Sequence, residues 1–182
     1  RMAIELESMK QNPVMINVPV PVASLVADPA AAKHGPFAAL AQGADWRGKL
    51  ERLDAAVMAQ EQVDMPVNHH FSHGVYAREL FIPKGTVLTG RIHKRSQINI
   101  LAKGEISVLT EHGIERLKAP ATIVSPPGTK RAGYAHEDTI WITVCGVDGK
   151  EQDPDSLEQE LTTRTFAEYA AYCAGLIESK EH

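Results

Sequence analysis

Between Ile92 and Ile100 the chain reads IHKRSQINI, and four polar side chains able to do chemistry, His93, Arg95, Gln97 and Asn99, stand at alternate positions in it. Successive side chains of an extended chain point to opposite faces. A strand here therefore aims these four one way and Ile98 and Ile100 the other. Polar groups on an inward sheet face need partners, so such a set marks a pocket. A histidine can pass protons near neutral pH, and a guanidinium fork matches a carboxylate or a phosphate. His93 is thus the candidate catalytic residue, and His93, Arg95, Gln97 and Asn99 are candidate ligand-binding residues. Tyr76, on the strand before them, is a further hydrogen-bonding candidate. His69, His70 and His73 put three histidines within five residues. Metal ligands must converge, and this spacing matches no known zinc pattern, so a loop or strand segment is the expectation there.

The elements that must position these residues are short strands. Val75 to Pro83 alternates so that Tyr76, Arg78, Leu80 and Ile82 share one face. Pro83-Lys84-Gly85 reads as a turn, followed by a strand over Thr86 to Ile92. Further strands are expected over Glu105 to Thr110, Ile114 to Leu117, Ala121 to Ser125, Lys130 to Ala135 and Thr139 to Val144. Turns at Lys103-Gly104, Glu111-His112-Gly113, Pro126-Pro127-Gly128 and His136-Glu137-Asp138 separate them. Evenly spaced short strands with turn signals indicate a sandwich or barrel. Before them, Val14 to Pro19 is expected as an edge strand or extended arm, because Pro13, Pro19 and Pro21 limit ladder bonding. Pro36 to Gln42 is a candidate short helix. Asp45 to Gln60 is a stronger one, with Asp45 as N-cap and Trp46, Leu50, Leu53 and Val57 as its apolar stripe. After the strands, Gly146 to Asp155 is a polar linker. Asp155-Ser156-Leu157-Glu158 resembles a capping box with Asp155 as cap. Thr165-Phe166-Ala167-Glu168 is a second such box, starting a helix that runs to about Glu178.

The chain has 182 residues, a net charge of −4 and two cysteines. This length suits one domain of ordinary size with terminal additions: an N-terminal arm and helix over 1–62, a β-barrel over 63–146 and C-terminal helices over 147–182. The mild negative charge and the lack of basic runs argue against a nucleic-acid partner. Cys145 and Cys173 share no motif and are expected as reduced thiols of a cytoplasmic protein. No apolar run is long enough to span a membrane, and no signal peptide is apparent. Arg1 is not a natural initiator, so residues 1–8 are expected either to be foreign to the native chain or to follow an internal start. No nucleophile motif or phosphate-cradling glycine loop is present.

The central stretch GTVLTGRIHKRSQINILAKGE resembles the first motif of the cupin superfamily, in which a glycine-containing strand leads to His-x-His, then Glu or Gln, then Gly. Gly90, His93, Arg95, Gln97 and Gly104 take those places. Pro126-Pro127-Gly128-Thr129-Lys130-Arg131 resembles the second motif, Pro-x-Gly-x-x-His. The resemblance covers roughly Val75 to Val144. It implies a mainly β fold: a single cupin-type (RmlC-like) β-barrel with flanking N- and C-terminal α-helices. VNHHFSHGVYARELFIPKGTVLTGRIHK and APATIVSPPGTKRAGYAHEDTIW are similar to a family of small cupin-like proteins of tailed bacteriophages and prophages. That likeness implies a place in the host-cell cytoplasm and carries no activity with it. Cupins commonly dimerise, which implies a homodimer.

At the metal positions of the cupin motifs the sequence departs from the pattern. Arg95 stands for the second histidine and Arg131 for the histidine of the second motif, and a protonated guanidinium offers no lone pair. His93 and Gln97 remain, with His70 or His136 as outside candidates to complete a divalent-metal site. Arg95 and Arg131 facing one pocket would instead hold an anion, with His93, Gln97, Asn99 and Tyr76 orienting it. The leading expectation is a protein that binds a small polar or anionic ligand without a standard metal site. The alternatives are a metal-dependent or His-based cupin enzyme, isomerase- or dioxygenase-like, and a structural or host-interaction protein with a vestigial pocket.

Overall fold

The computed structural model describes residues 15–16, 45–149 and 153–178. In chain order its strands are β1 (Met15–Ile16), β2 (Val67–Ser72), β3 (Val75–Ile82), β4 (Val87–Thr89), β5 (Ile92–His93), β6 (Gln97–Lys103), β7 (Glu105–Thr110), β8 (Gly113–Lys118), β9 (Ala121–Ser125), β10 (Ala132–Ala135), β11 (Thr139–Gly146) and β12 (Thr162–Thr163). The helices are α1 (Trp46–Met58), α2 (Pro154–Leu161) and α3 (Phe166–Glu178). The candidate helix at Pro36 to Gln42 lies outside the described residues.

The strands form two five-stranded antiparallel sheets. The first runs β1-β4-β10-β7-β8 and the second β2-β3-β11-β6-β9. A short ladder joins β5 to β12. Among the described residues no ladder joins the two large sheets, so the fold is mainly β, two facing sheets with three helices. Their inner faces meet in one apolar cluster, Leu80, Ile82 and Leu101 from the second sheet against Ile106, Val108, Leu117 and Ala135 from the first. Burying a side chain of this size contributes about 1.5–3 kcal/mol, and this layer holds the sheets together. Turn chemistry sets the hairpins. Gly104, between β6 and β7, has φ +86°, and a Cβ there would stand 2.5 Å from the Asp138 carbonyl oxygen, so only glycine fits.

Helix α1 begins as its sequence predicts, with Asp45 accepting from the Gly48 amide at 3.0 Å. Its stripe buries Leu50 and Val57 against Val87, Leu109 and Ala132 of the first sheet. Helix α2 begins two residues before the expected cap. Asp153, not Asp155, accepts from the Ser156 amide at 2.9 Å. Pro154 explains the shift, since a residue without an amide hydrogen and with its φ already near helical values suits the first helical position. For α3, Thr165 Oγ1 accepts from the Glu168 amide at 3.1 Å. No helix among the described residues is long and apolar enough to cross a membrane.

Across the inner face of the second sheet, the pairing register sets side chains in rows. Phe71, Tyr76, Cys145, Gln97 and Ser125 form one; His69, Arg78, Thr143, Asn99 and Ile123 the next; Val67, Leu80, Trp141, Leu101 and Ala121 the third. The third row belongs to the apolar layer. The first two carry the polar groups, and facing cross-strand neighbours lie close enough to interact.

Candidate functional site

A cavity of about 190 Å³ opens over these polar rows. Its floor is the β2-β3-β11 part of the second sheet, through His69, Tyr76, Arg78, Leu80, Trp141, Thr143 and Cys145. Leu88, Thr89, Gly90, Arg91 and His93 form one wall, and Pro154, Asp155, Glu158 and Leu161 of α2 with Thr162 form the other.

Several local bonds hold α2 over the cavity. Strand β12, directly after it, pairs with β5 so that Thr162 faces His93, and the Lys94 amide donates to the Leu161 carbonyl at 2.8 Å. Leu157 and Leu161 are buried with Tyr76 and Cys145. Arg91 Nε meets Glu158 Oε1 at 2.6 Å, with both side chains mostly buried.

The electrostatics of the wall follow from burial. Arg78 sits on β3 in the middle row. Its Nη2 is buried without a hydrogen-bond partner, and it joins none of the ion pairs among the described residues. Burial works against its charge, with Tyr76 and Glu158 countering. His93 is pushed down to about 4, first by burial and then by the charges of Arg131 and Arg78, so its imidazole is neutral at neutral pH. Its Nδ1 lies 4.0 Å from Cys145 Sγ. Burial raises that thiol to about 11, so the pair holds no thiolate. Tyr76 Oη and His69 Nδ1 share a hydrogen bond of 2.8 Å. Burial raises the phenol to about 12, while burial and then Arg78 lower His69. Both stay neutral, able to pass a proton without carrying charge.

The residues singled out from the sequence part company here. His93 and Tyr76 line the cavity. Asn99 lies beside it, fully engaged: it donates to Ser125 Oγ at 2.6 Å and accepts from Thr143 Oγ1 at 3.0 Å and Trp141 Nε1 at 3.3 Å. Gln97 is buried in the first row with its Oε1 unpaired but is not in the cavity wall. Arg95 is outside, its side chain 46% exposed and 3.0 Å from Glu160. The expected unbroken strand explains the misplacement. The chain leaves β4 at Gly90, makes two residues of β5 and bends at Lys94 and Arg95 before β6. The alternation that would align Arg95 with His93 and Gln97 is interrupted. Arg131 is not in the wall either, although its charge reaches His93. His70 is on the surface, 3.4 Å from Glu79, and His136 bonds Ser107 at 2.8 Å, away from the cavity.

These placements do not fit a divalent metal. Among the described residues no group of three or more His, Cys, Asp or Glu side chains converges on a point. Of the motif positions that would supply metal ligands, His93, Arg95, Gln97 and Arg131, only His93 lines the cavity.

Sequence reasoning missed His69, Arg78, Arg91, Cys145 and Glu158. For Arg78 a signal was present: it is the one charged residue on a strand face otherwise made of Tyr76, Leu80 and Ile82. Cys145 follows from the same alternation on β11, with Trp141 and Thr143. Arg91 and Glu158 meet only through the placing of α2, and no local pattern announces that contact.

No family model and no curated protein matches the chain. Solved structures similar to it include KdgF from Halomonas sp., at 19% identity and a TM-score of 0.43, over 53% of this chain and 88% of that one. An acetylacetone dioxygenase from Acinetobacter johnsonii is 16% identical with a TM-score of 0.40, over 45% of this chain and 59% of that one. An RmlC-like cupin from Shewanella frigidimarina is 22% identical with a TM-score of 0.38, over 44% of this chain and 73% of that one.

Proposed function

We propose that this chain is a cupin-type β-barrel protein that binds a small anionic or polar ligand in the cavity between the second sheet and α2, without a metal. The observation that carries this reading is Arg78, a cation in the cavity wall that joins no ion pair among the described residues. An unpaired buried charge costs several kcal/mol, and an anion in the cavity would offset that. The other wall arginine, Arg91, is already neutralised by Glu158 at 2.6 Å. A neutral His93 and the Tyr76–His69 pair would orient the ligand. The cavity is smaller than the roughly 300–1,000 Å³ that drug-sized ligands occupy, so the ligand is small. The Tyr76–His69 hydrogen bond of 2.8 Å also favours a second reading, a His-based enzyme in which this pair relays a proton to the bound molecule.

The test is metal analysis of the purified full chain, followed by melting curves of chelator-treated protein with a panel of small anions. Trace metal and an anion-dependent rise in Tm that disappears in Arg78→Met are expected. Near-stoichiometric metal that His93→Ala removes would sink the proposal, as would a Tm indifferent to every anion. A product formed from any panel member, lost in Tyr76→Phe, would favour the enzyme.

A further inference from the structure

Resting on that reading, the geometry points to one ligand class: a small monocarboxylate carrying hydroxyl groups, its carboxylate on Arg78 and its hydroxyls donating to the surrounding wall.

The charge comes first. Four formally charged side chains line the cavity: Arg78, Arg91, Asp155 and Glu158. Arg91 and Glu158 satisfy each other. Asp155 is exposed at the rim, where water solvates it. Among the lining side chains that leaves one positive charge, Arg78, outside every ion pair of the described residues, and one negative charge answers it. A phosphate monoester brings nearly two, and the second would face the carboxylates of Asp155 and Glu158 on α2. A carboxylate brings one, in a planar form that a guanidinium fork matches.

The hydrogen-bond inventory then selects the body of the molecule. A threonine hydroxyl has one hydrogen to give. In this wall Thr143 gives its hydrogen to Asn99 Oδ1 at 3.0 Å, Thr162 to the Glu158 carbonyl at 2.6 Å, and Thr89 to Asp54 Oδ1. All three face a ligand as acceptors only. Toward these three threonines a ligand group must therefore donate, while His93 and the Tyr76–His69 pair serve its other atoms. Hydroxyl groups donate at neutral charge. An ammonium would need an unpaired buried carboxylate, and Asp155 at the rim is already solvated. Leu88, Trp141 and Leu161 receive the carbon chain. The volume, about six waters at ~30 Å³ each, suits a four-carbon acid.

Calorimetric titration of the chelator-treated full chain with four matched four-carbon probes tests this: erythronate, butyrate, erythritol and erythritol 4-phosphate. Erythronate is expected to bind at least about tenfold tighter than each of the others, the scale of one charge-assisted hydrogen bond. Arg78→Met should weaken it by at least as much. Gly90→Leu gives the same loss by another route and leaves Arg78 intact. Gly90 lines the cavity, and a Cβ there meets nothing closer than the Arg131 carbonyl at 3.7 Å, so the cavity wall has room for a larger side chain at this position. Arg95→Ala should bind as the parent does. Tightest binding of the phosphate, lost in Arg78→Met, would overturn the carboxylate assignment and leave the anion site standing. Equal binding of butyrate and erythronate would overturn the hydroxyl requirement alone. Failure of the folded protein to bind any of the charged probes, or binding that survives both cavity substitutions, would overturn this inference and the anion site together.

Discussion

The middle polar row of the second sheet ends differently on its two sides. Toward β6 and β9, Thr143, Asn99, Ser125 and Trp141 close on one another, and every polar atom of the Asn99 amide has a partner. Toward β2, Arg78 stands in the same row, one strand from Thr143, with its Nη2 unpaired. Both sides are buried polar clusters on one scaffold. The first holds the structure together, because satisfied buried hydrogen bonds rigidify and removing a partner strands the others. The second leaves the Arg78 Nη2 without a hydrogen-bond partner beside the cavity, which is the ground of the proposed ligand site. What distinguishes the proposed binding half is an unpaired polar atom that also borders a cavity: Gln97 Oε1 is unpaired too, but away from the cavity wall.

That contrast can be broken from either side. The largest effect is expected in the closed half. Asn99→Ala strands the partners on Ser125, Thr143 and Trp141 and should lower unfolding stability by about 3–4 kcal/mol, at roughly one per lost bond plus desolvation, seen as a lower midpoint in chemical denaturation. The next concerns the wall above the open half. His93 has a folded pKa of about 4 against an ordinary 6.5, so the unfolded chain binds the extra proton between these values. Stability is therefore full above pH 6.5 and falls as the pH drops toward 4, by roughly 3 kcal/mol at 1.36 kcal/mol per unit. His93→Phe should flatten that part of the stability–pH profile, and a profile equally steep in the variant would refute the assignment. The smallest effects sharpen the comparison between arginines. Without ligand, Arg78→Met should leave stability unchanged or raise it by about 1 kcal/mol, since a buried charge without a partner is replaced by an apolar chain of similar length. Arg95→Ala, a surface pair with Glu160, should stay within about 0.5 kcal/mol. A loss above 2 kcal/mol in Arg78→Met would place Arg78 with the closed half.

Much of the fold was legible because its signals are local. The alternation in Val75 to Pro83, the turn glycines, the stripe of α1 and the capping threonine of α3 each need only a few neighbouring residues. The short segment at Met15 and Ile16 does pair at a sheet edge, beside β4. The site was legible in part. Tyr76 and His93 could be picked out as polar residues within strand-like patterns, and both line the cavity. Arg95 was drawn into the same set by a spacing of two that holds only while the chain stays extended, and the bend at Lys94 and Arg95 ends it. His70 entered for its chemistry, but β2 turns it to the surface against Glu79.

By itself the sequence determined the strands and turns, the capped helices, and a polar strand face with one arginine among apolar residues. These follow from side-chain period, backbone freedom and local hydrogen bonding, which act over a few residues. Only the tertiary structure decided that Arg78, unlike Arg91 beside it in the cavity wall, joins no ion pair among the described residues. Ion pairing depends on which carboxylate comes within a few ångströms, and here the nearest acids arrive on α2, some eighty residues later in the chain than Arg78. Helix α2 gives Glu158 to Arg91 and Glu160 to Arg95. Among the described residues Arg78 receives none, and that difference is what the proposed anion site rests on.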